Sequence, residues 1–220
     1  MHKQIKLEQM SDFFNARIDG YDEHMINEVE GCKEGYVKMA ELLPQNANEI
    51  LDLGCGTGLE LDEIFKIKPF IKVTGIDLTK KMLDKLKQKY HHKDLKLINA
   101  SYFDYNFETC KYDAVISFQT MHHFSHEDKI KLYLKIFESL KTDGKYIEGD
   151  YMVESQAEEE FYYGESKRIR KEQGISEGEF YHYDTPCTID NQIKMLFKAG
   201  FKKVKAEWKS GNTTIIVAEK

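Results

Sequence analysis

Ile50-Leu51-Asp52-Leu53-Gly54-Cys55-Gly56-Thr57-Gly58-Leu59-Glu60 runs an apolar, strand-like stretch into three glycines at alternate positions and then into a helix-like segment. Glycines so spaced let a ligand approach the backbone closely and permit dihedrals that other residues avoid. A second apolar run, Val73-Thr74-Gly75-Ile76, ends at Asp77, 23 residues beyond Gly54. An α/β nucleotide fold places at about that separation the acid that accepts hydrogen bonds from ribose hydroxyls. The two signals together predict a nucleoside-binding strand–turn–helix unit, whereas a glycine turn alone would mark only an ordinary connection.

The glycine spacing selects among ligands. Dinucleotide-binding turns carry G-x-G-x-x-G and hold a pyrophosphate on backbone N–H groups. This chain has D-x-G-x-G-x-G, with Asp52 at the strand end. A carboxylate there repels a pyrophosphate and suits a ligand with positive charge, such as S-adenosylmethionine with its sulfonium and ammonium. ILDLGCGTG (50–58) and VTGIDLTKKML (73–83) resemble the first and second motifs of the class I S-adenosylmethionine-dependent methyltransferases. The resemblance extends in order over about residues 35–220.

Between residues 49 and 150, short β-like runs alternate with amphipathic helices, the signature of a parallel sheet covered on both faces. Strands are expected at 49–53, 71–76, 95–99, 112–117 and 144–149. One helix starts at Thr79 with Met82, Leu83, Leu86 and Tyr90 on a face, and another starts at Ser125, with Asp128 three residues on. Ile189, Ile193, Leu196 and Phe197 mark a last helix stopped by Gly200, and Ser210-Gly211-Asn212 turns between two final strands. The expected fold is a single α/β, Rossmann-like domain over 1–220, with a seven-stranded, mostly parallel sheet, helices on both faces and an antiparallel last strand. Residues 1–43 read as an N-terminal helical cap and residues 151–186, acidic and aromatic-rich, as an insertion after the fifth strand that serves as a lid.

The net charge is −6, from 32 basic and 38 acidic residues, with arginine only at 17, 168 and 170. That balance argues against a dedicated nucleic-acid binder, which needs basic patches and arginine forks. The lysines at 194, 198, 202, 203 and 205 read as a solvated face. No apolar run is long enough to cross a bilayer, and Met1–Lys6 lacks the apolar stretch of a secretory signal, so a cytoplasmic protein without membrane contact is expected, as monomer or homodimer. Cys32, Cys55, Cys110 and Cys187 are far apart, which suggests reduced thiols and neither a zinc cluster nor a disulfide framework.

Ligand contacts in an open α/β sheet gather at the carboxyl ends of the strands. Gly54 and Gly56, Asp52 beneath them, Cys55 as a small packed residue, and Asp77 with Leu78 form the first group of cofactor candidates. The loop Ser101-Tyr102-Phe103-Asp104 is similar to the family's adenine loop, which makes Asp104 the expected acid for the adenine amino group. Ser117-Phe118-Gln119-Thr120-Met121-His122-His123 looks like the family's fourth motif and lines the expected methyl-transfer chamber. In the same family an aromatic N-terminal helix with a Tyr-Asp pair often folds over the cofactor, which assigns Tyr21 to its methionine end and Arg17 to its carboxylate.

Methyl transfer from a sulfonium needs positioning more than covalent help, and a general base only where the acceptor must lose a proton. His122, His123 and Asp150 are the candidates for that role by placement, with His182 a fourth. No metal ligand set is expected, because His122, His123 and His126 lack acid-rich or cysteine-rich partners at recognised spacing. No N/D-P-P-Y motif follows the fourth strand, and Pro186-Cys187 lies far beyond the place of a cytosine-C5 nucleophile. A small-molecule acceptor with S-adenosylhomocysteine as co-product leads. The alternatives are an RNA enzyme acting on a tRNA base and a non-catalytic S-adenosylmethionine binder, with an NAD oxidoreductase more distant.

Overall fold

The computed structural model describes residues 5–176 and 178–220. Five strands run in parallel: β1 (Glu49–Leu53), β2 (Lys72–Asp77), β3 (Leu95–Asn99), β4 (Tyr112–Phe118) and β5 (Leu140–Val153). With β7 (Lys203–Ser210) and β8 (Thr213–Glu219) they form a sheet of order β3-β2-β1-β4-β5-β8-β7, in which β8 is antiparallel to both neighbours. A two-residue strand, β6 (Cys187–Thr188), pairs with the far end of β5 at Met152 and Val153. Ile50, Leu51 and Leu53 are fully buried, as a central parallel strand covered on both faces requires.

Helices α3 (Cys32–Leu42), α4 (Leu59–Ile67) and α5 (Lys80–Lys89) bury Met39, Leu61, Ile64 and Leu86 against one face. Helices α6 (His126–Ser139) and α8 (Ile189–Lys198) bury Leu132, Ile136 and Leu196 on the other. Ser125 accepts a hydrogen bond from the Asp128 N–H to cap α6, and Thr188 caps α8 through the Asn191 N–H. Two short helices, α1 (Met10–Ala16) and α2 (Tyr21–Asn27), precede α3 and leave Gly20 and Gly31 as punctuation. No helix among the described residues is long and apolar enough to cross a membrane.

Two features depart from the sequence reading. β5 extends well beyond 144–149, because both ends find partners: Leu140 pairs with Tyr112 at one end, and β6 lies beside the other. The 151–186 region holds a 17-residue helix, α7 (Gln156–Glu172), opened by a capping box between Ser155 and Glu158. The chain then returns along the N-terminal arm. Met10 N–H donates to Phe180 O at 3.0 Å, His182 N–H to Glu8 O at 2.9 Å, and Thr185 donates its N–H and hydroxyl to His122 O at 2.6 and 2.9 Å.

Candidate active site

The register sets Leu53 of β1 level with Ile76 of β2 and Ser117 of β4, so three strands release their loops at one edge. There Gly54, Gly56 and Gly58 take φ of 71°, 47° and 75°. A Cβ on Gly54 would sit 2.7 Å from Thr120 Oγ1, whereas one on Gly56 would meet nothing nearer than 3.9 Å, so the turn is packed at Gly54 and open at Gly56. Asp77 closes the turn: Oδ2 accepts from Gly56 N–H at 2.9 Å and Oδ1 from Thr79 N–H at 2.7 Å. Burial still lifts its carboxyl above the usual range, with those two bonds pulling the other way.

Beside the turn lies a pocket lined by Met10, Phe14, Tyr21, Gly54, Gly56, Asp77, Leu78, Thr79, Met82, Tyr102, Phe118, Gln119, Thr120 and His123. A carboxylate, an exposed backbone cradle and apolar or aromatic walls fit a nucleoside that bears a cationic chain. Gln119 holds a positive φ of 51°, fixed by its N–H to Gly149 O at 2.8 Å and its side-chain amide to Thr213 Oγ1 at 3.0 Å. Such strain in a non-glycine residue collects at sites where the loop must present particular atoms.

Behind the glycines, Asp52 and Glu60 are buried as a hydrogen-bonded carboxyl pair. Asp52 Oδ2 and Glu60 Oε1 have no other donor, so the pair holds when one proton lies between them. Burial pushes Glu60 up to about 7, and burial reinforced by the Glu60 charge puts Asp52 well above the usual range.

At the other end of the pocket is a histidine cluster. His122 Nδ1 lies 2.6 Å from Asp150 Oδ1, with the Asp150 side chain 2% exposed. Burial disfavours the imidazolium of His122, but the charge and hydrogen bond of Asp150, with the charge of Asp184, lift it above the ordinary value. His123, pushed well down by burial and by the charges of His122 and His182, is neutral. His122 Nε2, His123 Nδ1 and His182 Nε2 lie 3.6, 3.4 and 3.9 Å from one atom, Asp184 Oδ1. Phe13 stacks on His182 with ring centroids 3.4 Å apart. A second pocket opens here, lined in part by Phe13, Tyr162, His182, Tyr183 and Asp184.

Tyr21, Gly54, Gly56, Asp77, Leu78, Tyr102, Phe118 and Gln119 share the lining, and His123 borders it. The other candidates lie elsewhere. Asp52 and Cys55 are buried beneath the turn. Ser117 points inward to the Tyr146 hydroxyl at 2.7 Å, because alternate residues of β4 face opposite layers. Phe103 stacks on Phe180, Asp104 is exposed, and Ser101 turns its hydroxyl to Phe103 N–H at 3.2 Å. Arg17 pairs with Glu8 at 3.0 Å and covers the Phe13 ring. His122 reaches the pocket only through His123 and Asp184. Met10, Phe14, Thr79, Met82 and Thr120 in the lining, and Asp184, are not among the sequence candidates, although Phe14, Thr79, Met82 and Thr120 lie in segments that the sequence marks.

Residues 50–144 match the family model of a methyltransferase domain. A carboxy-S-adenosyl-L-methionine synthase of Nautilia profundicola is 25% identical over 231 residues, covering 97% of this chain and 96% of that protein. Among solved structures, human N-acetylserotonin methyltransferase in complex with S-adenosylmethionine superposes with a TM-score of 0.63 at 16% identity, over 86% of this chain and 52% of that one. PigF with S-adenosylhomocysteine gives a TM-score of 0.69 at 16% identity, over 93% of this chain and 58% of that one. The chain therefore spans nearly all of its curated relative but little more than half of these solved chains, with which it shares the fold. With its glycine turn, its acid after the second strand and its strand order, the chain is similar to the class I S-adenosylmethionine-dependent methyltransferases and matches a methyltransferase domain over residues 50–144, which supports an enzyme with S-adenosylmethionine as cofactor.

Proposed function

We propose that the chain transfers the methyl group of S-adenosylmethionine to a small-molecule acceptor by direct in-line displacement. The observation that carries this reading is that one end of the pocket at Asp77 abuts the histidine cluster, so a nucleoside cradle and a set of proton-accepting side chains share one chamber. In this reading Asp77 holds the ribose hydroxyls, the Gly54–Gly56 backbone lies against the cofactor, and Leu78 and Tyr102 border its base. Tyr21, on the N-terminal cap, closes over the other end. The cofactor supplies an activated methyl, so the protein's tasks are alignment and exclusion of water. Helix α1 and the 180–188 segment provide that exclusion as a lid. The acceptor enters by the second pocket, and the histidine cluster, with Asp150 behind His122, accepts its proton as the methyl transfers.

The relatives' name raises a second reading, formation of a carboxylated S-adenosylmethionine, favoured by the near-complete overlap with the Nautilia protein. A product carboxylate calls for a cation; no lysine or arginine is among the residues that line the pocket at Asp77, and Lys6 lines only the second pocket. An RNA acceptor finds little support in the lysine face, where Lys203 pairs with Glu219 and Lys205 with Glu207. The test is mass spectrometry of the purified protein incubated with S-adenosylmethionine and a panel of small hydroxyl, thiol and amine acceptors. S-adenosylhomocysteine formed only with acceptor, together with methylated acceptor, is the expected result. A carboxylated cofactor, or no acceptor-dependent turnover, would overturn it.

A further inference from the structure

We infer that His122, His123 and Asp184 form a binding site for one divalent transition-metal ion of the zinc class. Their ligand atoms all lie within 4.8 Å of one another. Asp184 Oδ1 stands 3.6 Å from His122 Nε2 and 3.4 Å from His123 Nδ1. Metal–nitrogen and metal–oxygen bonds of about 2.0–2.1 Å in a tetrahedron put neighbouring ligand atoms about 3.3–3.4 Å apart, so Asp184 already stands at nearly the right distance from each imidazole, and the two imidazole nitrogens, within 4.8 Å of each other, complete the set on closing.

Each ligand atom is also free. The His122 ring spends Nδ1 on Asp150 at 2.6 Å, the carboxylate–histidine arrangement that fixes the tautomer of a ligating imidazole and leaves Nε2 as a lone-pair donor. His123, its side chain 3% exposed, has no hydrogen-bond partner for Nδ1. A buried lone pair aimed at a carboxylate oxygen is unfavourable by itself, and a cation between them resolves it. In the nearby trio of His126, Glu159 and Cys187, His126 Nε2 is likewise without a hydrogen-bond partner and lies 3.0 Å from Glu159 Oε1, but the other two ligands are already engaged: Lys129 Nζ lies 3.1 Å from Cys187 Sγ, and Glu159 Oε2 accepts from Thr188 N–H.

Three protein ligands leave one position open, on the side flanked by His182. This deepens the methyl-transfer reading and rests on it only for the open position's occupant, a hydroxyl or thiol acceptor. Binding there ionises the acceptor, whose proton passes to His182, the imidazole of the cluster that does not ligate. The nucleophile–methyl bond then forms as the sulfur–methyl bond breaks, and the electron pair stays on sulfur as a neutral thioether.

Chelator-stripped full-length protein titrated with Zn²⁺, and with Co²⁺ for its visible absorption, tests the site without any acceptor. One equivalent with a tetrahedral Co²⁺ spectrum is expected. Asp184→Asn, at a side chain 42% exposed and therefore tolerant, and His123→Ala should each weaken binding by about 100-fold or more. Asp150→Asn should weaken it about 10–100-fold, as loss of an outer partner does, and His126→Ala should leave it unchanged. Substoichiometric binding by the wild type, wild-type affinity in Asp184→Asn, or loss of binding in His126→Ala would overturn the site. Calorimetry with S-adenosylmethionine on the same samples reads the cofactor separately: metal uptake without cofactor binding would sink the methyl-transfer reading and leave the metal site standing.

Discussion

Asp77 has two duties, because the oxygens that tie down Gly56 and Thr79 also face the pocket. Asp77→Ala should raise the dissociation constant for S-adenosylmethionine by a factor worth about 1–3 kcal/mol, the value of lost charge-assisted hydrogen bonds; an unchanged constant in calorimetry would remove the ribose assignment. Asp150→Asn keeps the shape behind His122 and removes its charge, so kcat should fall about 100-fold or more with KM little changed. Steady-state kinetics decides, and a KM effect alone would make Asp150 a packing residue. The Asp52–Glu60 pair sets a pH dependence of stability. Glu60 rises from 4.5 to about 7 on folding, so the native state holds the extra proton. Its contribution is complete below pH 4.5 and is lost as pH rises through about 7. Urea midpoints of wild type and Glu60→Gln between pH 5 and 8 should therefore diverge, with the wild type losing more as pH rises. Parallel curves would show that the pair does not share a proton.

At the scale of elements, the N-terminal arm acts as a wall of the site. Met10 is buried in the main core, Phe14 lines the cofactor pocket, and Phe13 stacks on His182. Removal of residues 1–19 should keep the far-UV signal of the sheet and weaken cofactor binding about tenfold or more, since burying each such side chain is worth about 1.5–3 kcal/mol. Full affinity in the truncated protein would reduce the arm to packing. Elements with a local signal were legible in the sequence: the glycine turn through its spacing, α6 and α8 through Ser125 and Thr188, and β7 through its alternation. The capping box of α7 is equally local, but it lies among aromatic and acidic residues whose composition reads as a lid without a helical period. Asp184 had no such signal. It is 61 residues from His123 in a stretch without period, and only backbone bonds to Glu8, Met10 and His122 bring it to the cluster.

For the molecule as a whole, the pocket proposed for the cofactor lies where β1, β2 and β4 end, so binding there is coupled to the cooperative unit and not to a loose appendage. S-adenosylmethionine at 100 times its dissociation constant should add about 2.7 kcal/mol, or roughly 5–10 °C in Tm for a chain of this size. A thermal scan that separates the cofactor's effect into one part of the transition would disprove that coupling. The strand order, legible as parallel followed by an antiparallel end, has a further consequence in the order β5-β8-β7. During translation β5 is complete at residue 153, yet the strand that lies along it begins at residue 213. At about 5–20 residues per second, the ribosome exposes that 14-residue edge for roughly 3–12 s before its partner exists. The stretch made in that interval holds α7, β6, α8 and β7, so its length governs how long the nascent chain presents an open strand to its neighbours on a polysome.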